Sequence, residues 1–372
     1  MPMASASRWR SDYPATPTPS PRGRGRGRGR GQQQSRESPS TPSRSSEASA
    51  MPFRASSRPP VTPQSSPSRR MDLMASVSRS GGIEKDGDDL KDENVQEEYR
   101  VYIQGKLDAF WSKYVGRSEE SDEQARQRVE AQENLLILFR KLREGIIASK
   151  RVNAFSDEVY ASSLYLSILF DSPRNTSAIV PVVLSYLRSR IPPQSQSQSQ
   201  SLALICLLER LVTAYPSQSD FHTSLTGIPT PCFPPECAER RWVRDLARYL
   251  GTGNYTRLER TLRRIPALED PDSLAGKATR HLVAALQSKA RESAWRTIRS
   301  AYREVTLEIS GGWLLRSLFL VPPVREDEGL DARMEGLGLD DMLERWLEGE
   351  SRKGNVVKKE EGTGKWGLSR PR

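Results

Sequence analysis

Thr306-Leu307-Glu308-Ile309-Ser310 is a short alternating segment that follows an amphipathic helix ending near Glu304. Two compact apolar stretches come next, Gly312 to Phe319 and about Leu337 to Leu347. Alternation predicts a strand, and the apolar stretches predict two short helices. Asn355-Val356-Val357-Lys358-Lys359 and Lys365-Trp366-Gly367-Leu368-Ser369 then flank Glu360 to Gly364, a polar loop with two glycines, which is a hairpin pattern. Helix, strand, helix, helix and hairpin in that order describe a winged-helix module. Such a module docks on protein or nucleic acid rather than hosting catalysis.

The residues upstream are helical and short in period. Leu135, Leu138, Phe139, Leu142 and Ile146 share one helix face. Ser156, followed by Asp157 and Glu158, predicts the start of a helix running to Phe170, and another runs from about Thr176 to Arg190 with a kink or later start at Pro181. The Gln-Ser repeat Gln194 to Ser201 reads as a loop expansion without a packing role. Leu204, Leu208, Leu211, Val212 and Tyr215 resume the helical stripe, and the proline-rich stretch Pro216 to Pro235 predicts a long connecting loop. Beyond it Trp242, Leu246, Tyr249 and Leu250 form one stripe and Tyr255, Leu258, Leu262 and Ile265 the next, followed by helices at about Asp272 to Gln287 and Lys289 to Glu304. Short helix pairs with no strand between them predict an all-α fold, an α-solenoid that ends in the winged helix and its small C-terminal β-hairpin. The expected domains are a tail over 1–92, a helical-repeat region over 93–288 and the winged-helix module over 289–372.

The N-terminal segment has another composition. Residues 1–82 hold 14 Arg, no Lys and 4 acidic residues among abundant Ser, Pro and Gly, while the remainder has 43 basic and 43 acidic residues. Such a segment buries too little apolar surface to offset the entropy of ordering, so a disordered tail is expected. Arg22, Arg24, Arg26, Arg28 and Arg30 alternate with glycine, a pattern whose guanidiniums can fork onto phosphates or stack on unpaired bases.

Three cysteines, Cys206, Cys232 and Cys237, and two histidines, His222 and His281, in 372 residues give neither a disulfide scaffold nor a metal-ligand spacing. Reduced structural thiols in a nuclear or cytoplasmic compartment are expected. No apolar run has the roughly 18 residues of a membrane span, so no membrane partner is expected. No phosphate-binding glycine loop, nucleophile elbow or His-Glu-x-x-His is present, so neither catalysis, cofactor nor small-molecule substrate is expected.

Glu158-Val159-Tyr160-Ala161, Gly253-Asn254-Tyr255-Thr256-Arg257 and Ala294-Trp295-Arg296-Thr297-Ile298-Arg299-Ser300-Ala301-Tyr302 resemble the Sac-three/GANP family of PCI-like proteins. In that family a glycine-asparagine-tyrosine turn precedes a helix ending in alanine-tyrosine, and an apolar winged helix follows. The resemblance covers about Glu133 to the C-terminus. It implies a non-catalytic nuclear scaffold for mRNA-export, transcription-coupled or splicing assemblies, with protein subunits as partners. The Cys-Pro-acidic segment and arginine-bearing region that often begin such proteins are not found. A PCI-type protein-binding subunit of the proteasome lid, signalosome or translation initiation complex is therefore the alternative.

Residues 236–303 hold 15 basic against 8 acidic residues. Lys289, Arg296, Arg299 and Arg303 share a helix face one residue away from the Trp295 stripe, and Lys358, Lys359 and Lys365 fall on the hairpin. Together they are the expected RNA or DNA surface, joined by the tail arginines. Solvated or intramolecularly paired charge is the competing reading. Trp295, Trp313 and Trp346 lie in apolar stripes and are expected in the core, with Trp366 undecided. Limited proteolysis is expected to trim the tail and leave a stable helical fragment, and early cuts throughout residues 130–300 would refute that organisation.

Overall fold

A computed structural model of the chain describes residues 71–77, 89–114, 121–189, 196–266, 272–320, 339–359 and 364–371, all within one compact unit spanning Pro63–Arg372. The Arg-Gly run and most of the polar loop Glu360 to Gly364 lie outside the described residues. The described residues are mostly helical, with one small three-stranded sheet. None of their helices is long and apolar enough to cross a membrane.

Helices α1 (Glu93–Tyr114) and α2 (Asp122–Ser149) pack on one another. Ser121 opens α2 with a reciprocal capping box to Gln124, and Leu135, Phe139, Leu142 and Ile146 form its buried face as the spacing predicts. The expected tail boundary is too late. Met71 and Met74 are buried, the Lys141 ammonium donates to the Met74 carbonyl at 2.7 Å, and Ser76 donates to the Glu144 carboxylate. A single turn at Asp89–Lys91 then wedges the fully buried Leu90 against Gly145. A Cβ at residue 145 would lie 2.5 Å from the Leu90 carbonyl oxygen, so only glycine permits this approach.

Packing then runs neighbour on neighbour through α3 (Ala154–Leu169), α4 (Pro173–Ser189) and α5 (Gln196–Ala214). Asn153, not Ser156, caps α3; Ser156 is the reciprocal partner at the third helical position. Pro173, at the first turn of α4, starts that helix, and Pro181 lies within it. The Gln-Ser run is likewise corrected: from Gln196 it forms the first turns of α5. Glutamine is a good helix former, and the apolar sequence that follows propagates the helix back through it. Leu202 through Leu208 are all buried, because α4, α6 (Ser219–Gly227), α7 (Ala238–Gly251) and α9 (Leu274–Ala301) surround α5. The expected loop Pro216 to Pro235 therefore contains α6, whose Phe221 and Leu225 are buried. Cys206 is fully buried inside α5, and that burial pushes its thiol pKa up. The Cys237 sulfur caps α7, accepting from the Arg240 amide.

Gly253 adopts φ 64°, turning the chain between α7 and α8 (Tyr255–Arg263), and the Asn254 side chain caps α8 by accepting from the Arg257 amide at 3.2 Å. The two helices expected at Asp272 to Gln287 and Lys289 to Glu304 are one, α9. Nothing in Ser288-Lys289-Ala290 breaks a helix, and the polar gap marks a change of partner. Ala278, Leu282, Val283, Leu286 and Ala290 pack in the first core, whereas Ala294, Trp295 and Ile298 belong to a second. The expected domain border at 288/289 thus falls inside a continuous helix.

Beyond α9 come β1 (Glu304–Thr306), α10 (Leu307–Ser317), α11 (Leu339–Arg352), β2 (Val356–Lys358) and β3 (Lys365–Leu368). The strand expected at Thr306 to Ser310 lies earlier, because five alternating residues fit a helix start as well as a strand. The sheet is antiparallel in the order β1-β3-β2, with Val305 opposite Trp366 on one side and Lys358 opposite it on the other. Trp366 is 1% exposed and packs with Val305, Leu314, Leu318, Leu343, Leu347 and Val356. Trp366→Ala is expected to cost about 3–5 kcal/mol by leaving a cavity at the centre of this small core. The check is a lowered denaturation midpoint at unchanged slope.

Candidate nucleic-acid interface

Trp295 and Glu350 organise the site. The Trp295 indole N–H donates to Glu350 Oε2 at 2.7 Å, and its ring meets Trp346 edge-on at 4.8 Å. The Asn355 amide donates to the same oxygen at 2.7 Å, and the Lys353 ammonium donates to Glu350 Oε1 at 2.7 Å. Burial is the largest influence on this carboxyl and raises its pKa. The donors Lys353, Asn355 and Trp295, with the Lys353 charge, outweigh it and hold the pKa below the ordinary 4.5. Glu350 therefore ties α9, α11 and the turn into β2 together, and its charge is already used.

Around this anchor lies a cleft of about 960 Å³ between α9, the end of α11 and the residues after β3. Arg296, Arg299, Lys353 and Arg370 line it, with Glu292. Arg299 Nε donates to the Ser369 carbonyl at 2.9 Å, clamping the chain as it leaves β3. Arg296 pairs with Glu292 at 3.5 Å, one helical turn away, with both side chains about two-thirds or more exposed. Such a pair contributes little, so a phosphate can displace the carboxylate. Arg291 serves structure instead, donating to the Leu318 and Phe319 carbonyls at 2.6 and 3.0 Å.

The sequence candidates do not form one surface. Lys289 donates to the Val212 carbonyl at 2.6 Å, buttressing α5 against α9, and is not part of the cleft. Arg303 is exposed beside β1, where its carbonyl accepts from the Leu368 amide at 2.8 Å. Lys358 pairs with Glu344 at 2.8 Å and lies 5.5 Å above the Trp366 ring. Lys359 pairs with Glu304 at 2.6 Å, a contact that holds the Glu304 carboxyl below its ordinary pKa. Lys365 is exposed on the edge of this pair. Lys358 and Lys359 are thus balanced by carboxylates on α11 and β1, and no hairpin lysine lines the α9 cleft. Arg22, Arg24, Arg26, Arg28 and Arg30 lie outside the described residues.

Lys353 was missing from the candidate set, and Arg370 stood only as a residue just beyond the hairpin lysines. Their signal was weak: Lys353 sits in the turn after α11 and Arg370 beyond the end of β3, where periodicity gives no facing. One aromatic expectation also changes, and the undecided tryptophan is placed. Trp366 is the most buried of the four tryptophans, whereas Trp313 is 37% exposed and lies 5.5 Å from Tyr302, itself half exposed.

No family model and no curated protein matches the chain.

Glu350→Gln keeps the shape but places an amide among three donors, and a loss of about 1–3 kcal/mol is expected. Because the folded carboxyl titrates below 4.5, its contribution is present above that pH and is lost as pH falls through the folded value. Melting temperature against pH should show this acid limb in the wild type and not in the variant.

Proposed function

We propose that this protein is a non-catalytic scaffold subunit of a nuclear assembly acting in mRNA export, transcription-coupled processing or splicing. In this reading α1 to α8 are a helical repeat of solenoid type, and α9 to β3 a PCI-like winged helix. The resemblance of the Gly253-Asn254-Tyr255 turn and the Ala294 to Tyr302 helix to the Sac-three/GANP family supports it. So do the places of those residues: the Tyr255 hydroxyl lies 3.2 Å from Ser293 Oγ, and its ring meets Phe319 edge-on at 6.3 Å, joining the two cores. Protein partners would dock on the exposed faces of the repeat.

The observation that carries nucleic-acid contact is the α9 cleft. Its buried carboxylate is satisfied internally, while Arg296, Arg299, Lys353 and Arg370 face a common concave surface. Cations around a cleft raise the local concentration of a polyanion. The test compares the full chain with its R296E/R299E form, both carrying R22S, R24S, R26S, R28S and R30S to remove binding by the Arg-Gly run. Anisotropy with labelled RNA and duplex DNA across a salt series should show weaker binding for R296E/R299E, with a salt slope lower by about 1 per lost phosphate contact. Equal binding by both forms would favour the protein-binding subunit of a lid, signalosome or initiation complex.

A further inference from the structure

Helices α6 and α7 enclose a second cleft, of about 850 Å³, lined on the α7 side by Arg240, Arg241, Arg244 and Arg248 and on the α6 side by His222 and Thr226. None of these residues belongs to the α9 cleft. The buried face of α7 is Trp242, Val243, Leu246 and Leu250, with the Trp242 indole donating to the Thr261 carbonyl at 2.8 Å. That anchoring fixes which arginines point outward.

Their commitments differ. Arg240 donates to the Phe233 carbonyl and stacks over the Phe233 ring at 5.8 Å, so it holds the loop before α7. Arg248 lies 3.3 Å from Asp245, donates to the Tyr249 hydroxyl at 2.8 Å and stacks over that ring at 4.8 Å. Asp245 is the single carboxylate among the described residues that line the cleft, and Arg248 uses it. The side chains of Arg241 and Arg244 are exposed and make no hydrogen bond or ion pair among the described residues. Two guanidiniums therefore face the concavity uncompensated, beside two more that are already held.

We propose that the α6–α7 cleft is a binding site for the phosphate backbone of single-stranded nucleic acid, with Arg241 and Arg244 as its primary contacts and Arg248 beside them. The proposal rests on the reading of this chain as a nucleic-acid-binding scaffold and adds a location and a strand preference to it. Arg241, Arg244 and Arg248 recur once per turn on one face, spaced about 5 Å along the axis. Cations in a row suit a linear polyanion, whereas one small anion needs converging donors. The cleft has the volume of a ligand pocket, room for a short stretch of single strand. A duplex, whose major groove alone is about 12 Å wide, does not enter it. Guanidiniums also stack on bases, which a single strand exposes.

The test uses the full chain with R22S, R24S, R26S, R28S and R30S, and titrates labelled oligo-uridylate, duplex DNA and polyglutamate by anisotropy. R241E/R244E should weaken oligo-uridylate binding by tenfold or more and lower the salt slope by about 1.4, two single-strand contacts. R241K/R244K should retain most of it, and circular dichroism melting should show both variants folded. If charge reversal perturbs the melt, R241Q/R244Q serves in its place. Unchanged oligo-uridylate binding by R241E/R244E, with loss in R296E/R299E, overturns the α6–α7 site and leaves the α9 reading intact. Polyglutamate that competes as well as oligo-uridylate, with a dependence on Arg241 and Arg244, overturns it in favour of an acidic peptide. Binding of neither polymer at low salt overturns both readings.

Discussion

Helix α9 is the constraint on which the rest of the structure depends. An uninterrupted helix of 28 residues is a rod of about 42 Å, and it has one rotational setting along its length. Its first half is fixed by α3 and α5, through Leu282, Val283 and Leu286 and through the contact of His281 with Asp171 at 2.7 Å. Its second half then has no freedom left. Trp295 must face the C-terminal module, and Arg296 and Arg299, one and four residues on, must face the cleft. A small second core can therefore hold a well-defined surface, because its largest support is borrowed from the first.

The same logic sorts the charges. A residue count gives the body equal numbers of acids and bases, so its electrostatics depend on which charges are spent locally. Lys289 and Arg291 are spent on carbonyls, Lys358 and Lys359 on carboxylates, and Glu350 on three donors. The remaining potential collects where arginines recur at helical spacing and outnumber the carboxylates beside them. These faces are the outer sides of α7 and α9, and a composition window over residues 236–303 sees only their sum.

Most of the helices were legible because one face is apolar and the other is not, as in α2 at Leu135, Phe139 and Leu142 or α7 at Trp242 and Leu246. The failures have physical causes too. Met71 and Met74 sit in a background of serine and arginine, and two unbranched side chains packing across α1 and α2 leave no periodic trace. The Gln-Ser run looks featureless in isolation, yet helix propagation needs little from each residue once a nucleus exists. Trp366 could not be placed because a four-residue strand offers two faces, and only its pairing with Val305 and Lys358 decides which is inward. The candidate site was half legible for a related reason. Arg296 and Arg299 follow from helix geometry, while Lys353 and Arg370 enter the cleft through tertiary folding of a turn and a strand end.

The cleft's dependence on Glu350 bears on how binding and stability relate. A buried carboxylate in a basic surface would ordinarily weaken anion binding, since its charge opposes the ligand's. Here Lys353 lies 2.7 Å from one oxygen and two neutral donors hold the other, so the local field beyond Lys353 is close to that of the arginines alone. The carboxylate also holds the Lys353 ammonium at 2.7 Å, although that side chain is 68% exposed. An anion reaching the cleft meets a cation already positioned, and loses less side-chain entropy on binding than it would at a free lysine. Removing Glu350 would thus trade a stronger positive field for a looser one, and the same residue that fastens α9 to the turn before β2 sets how well-formed the surface is.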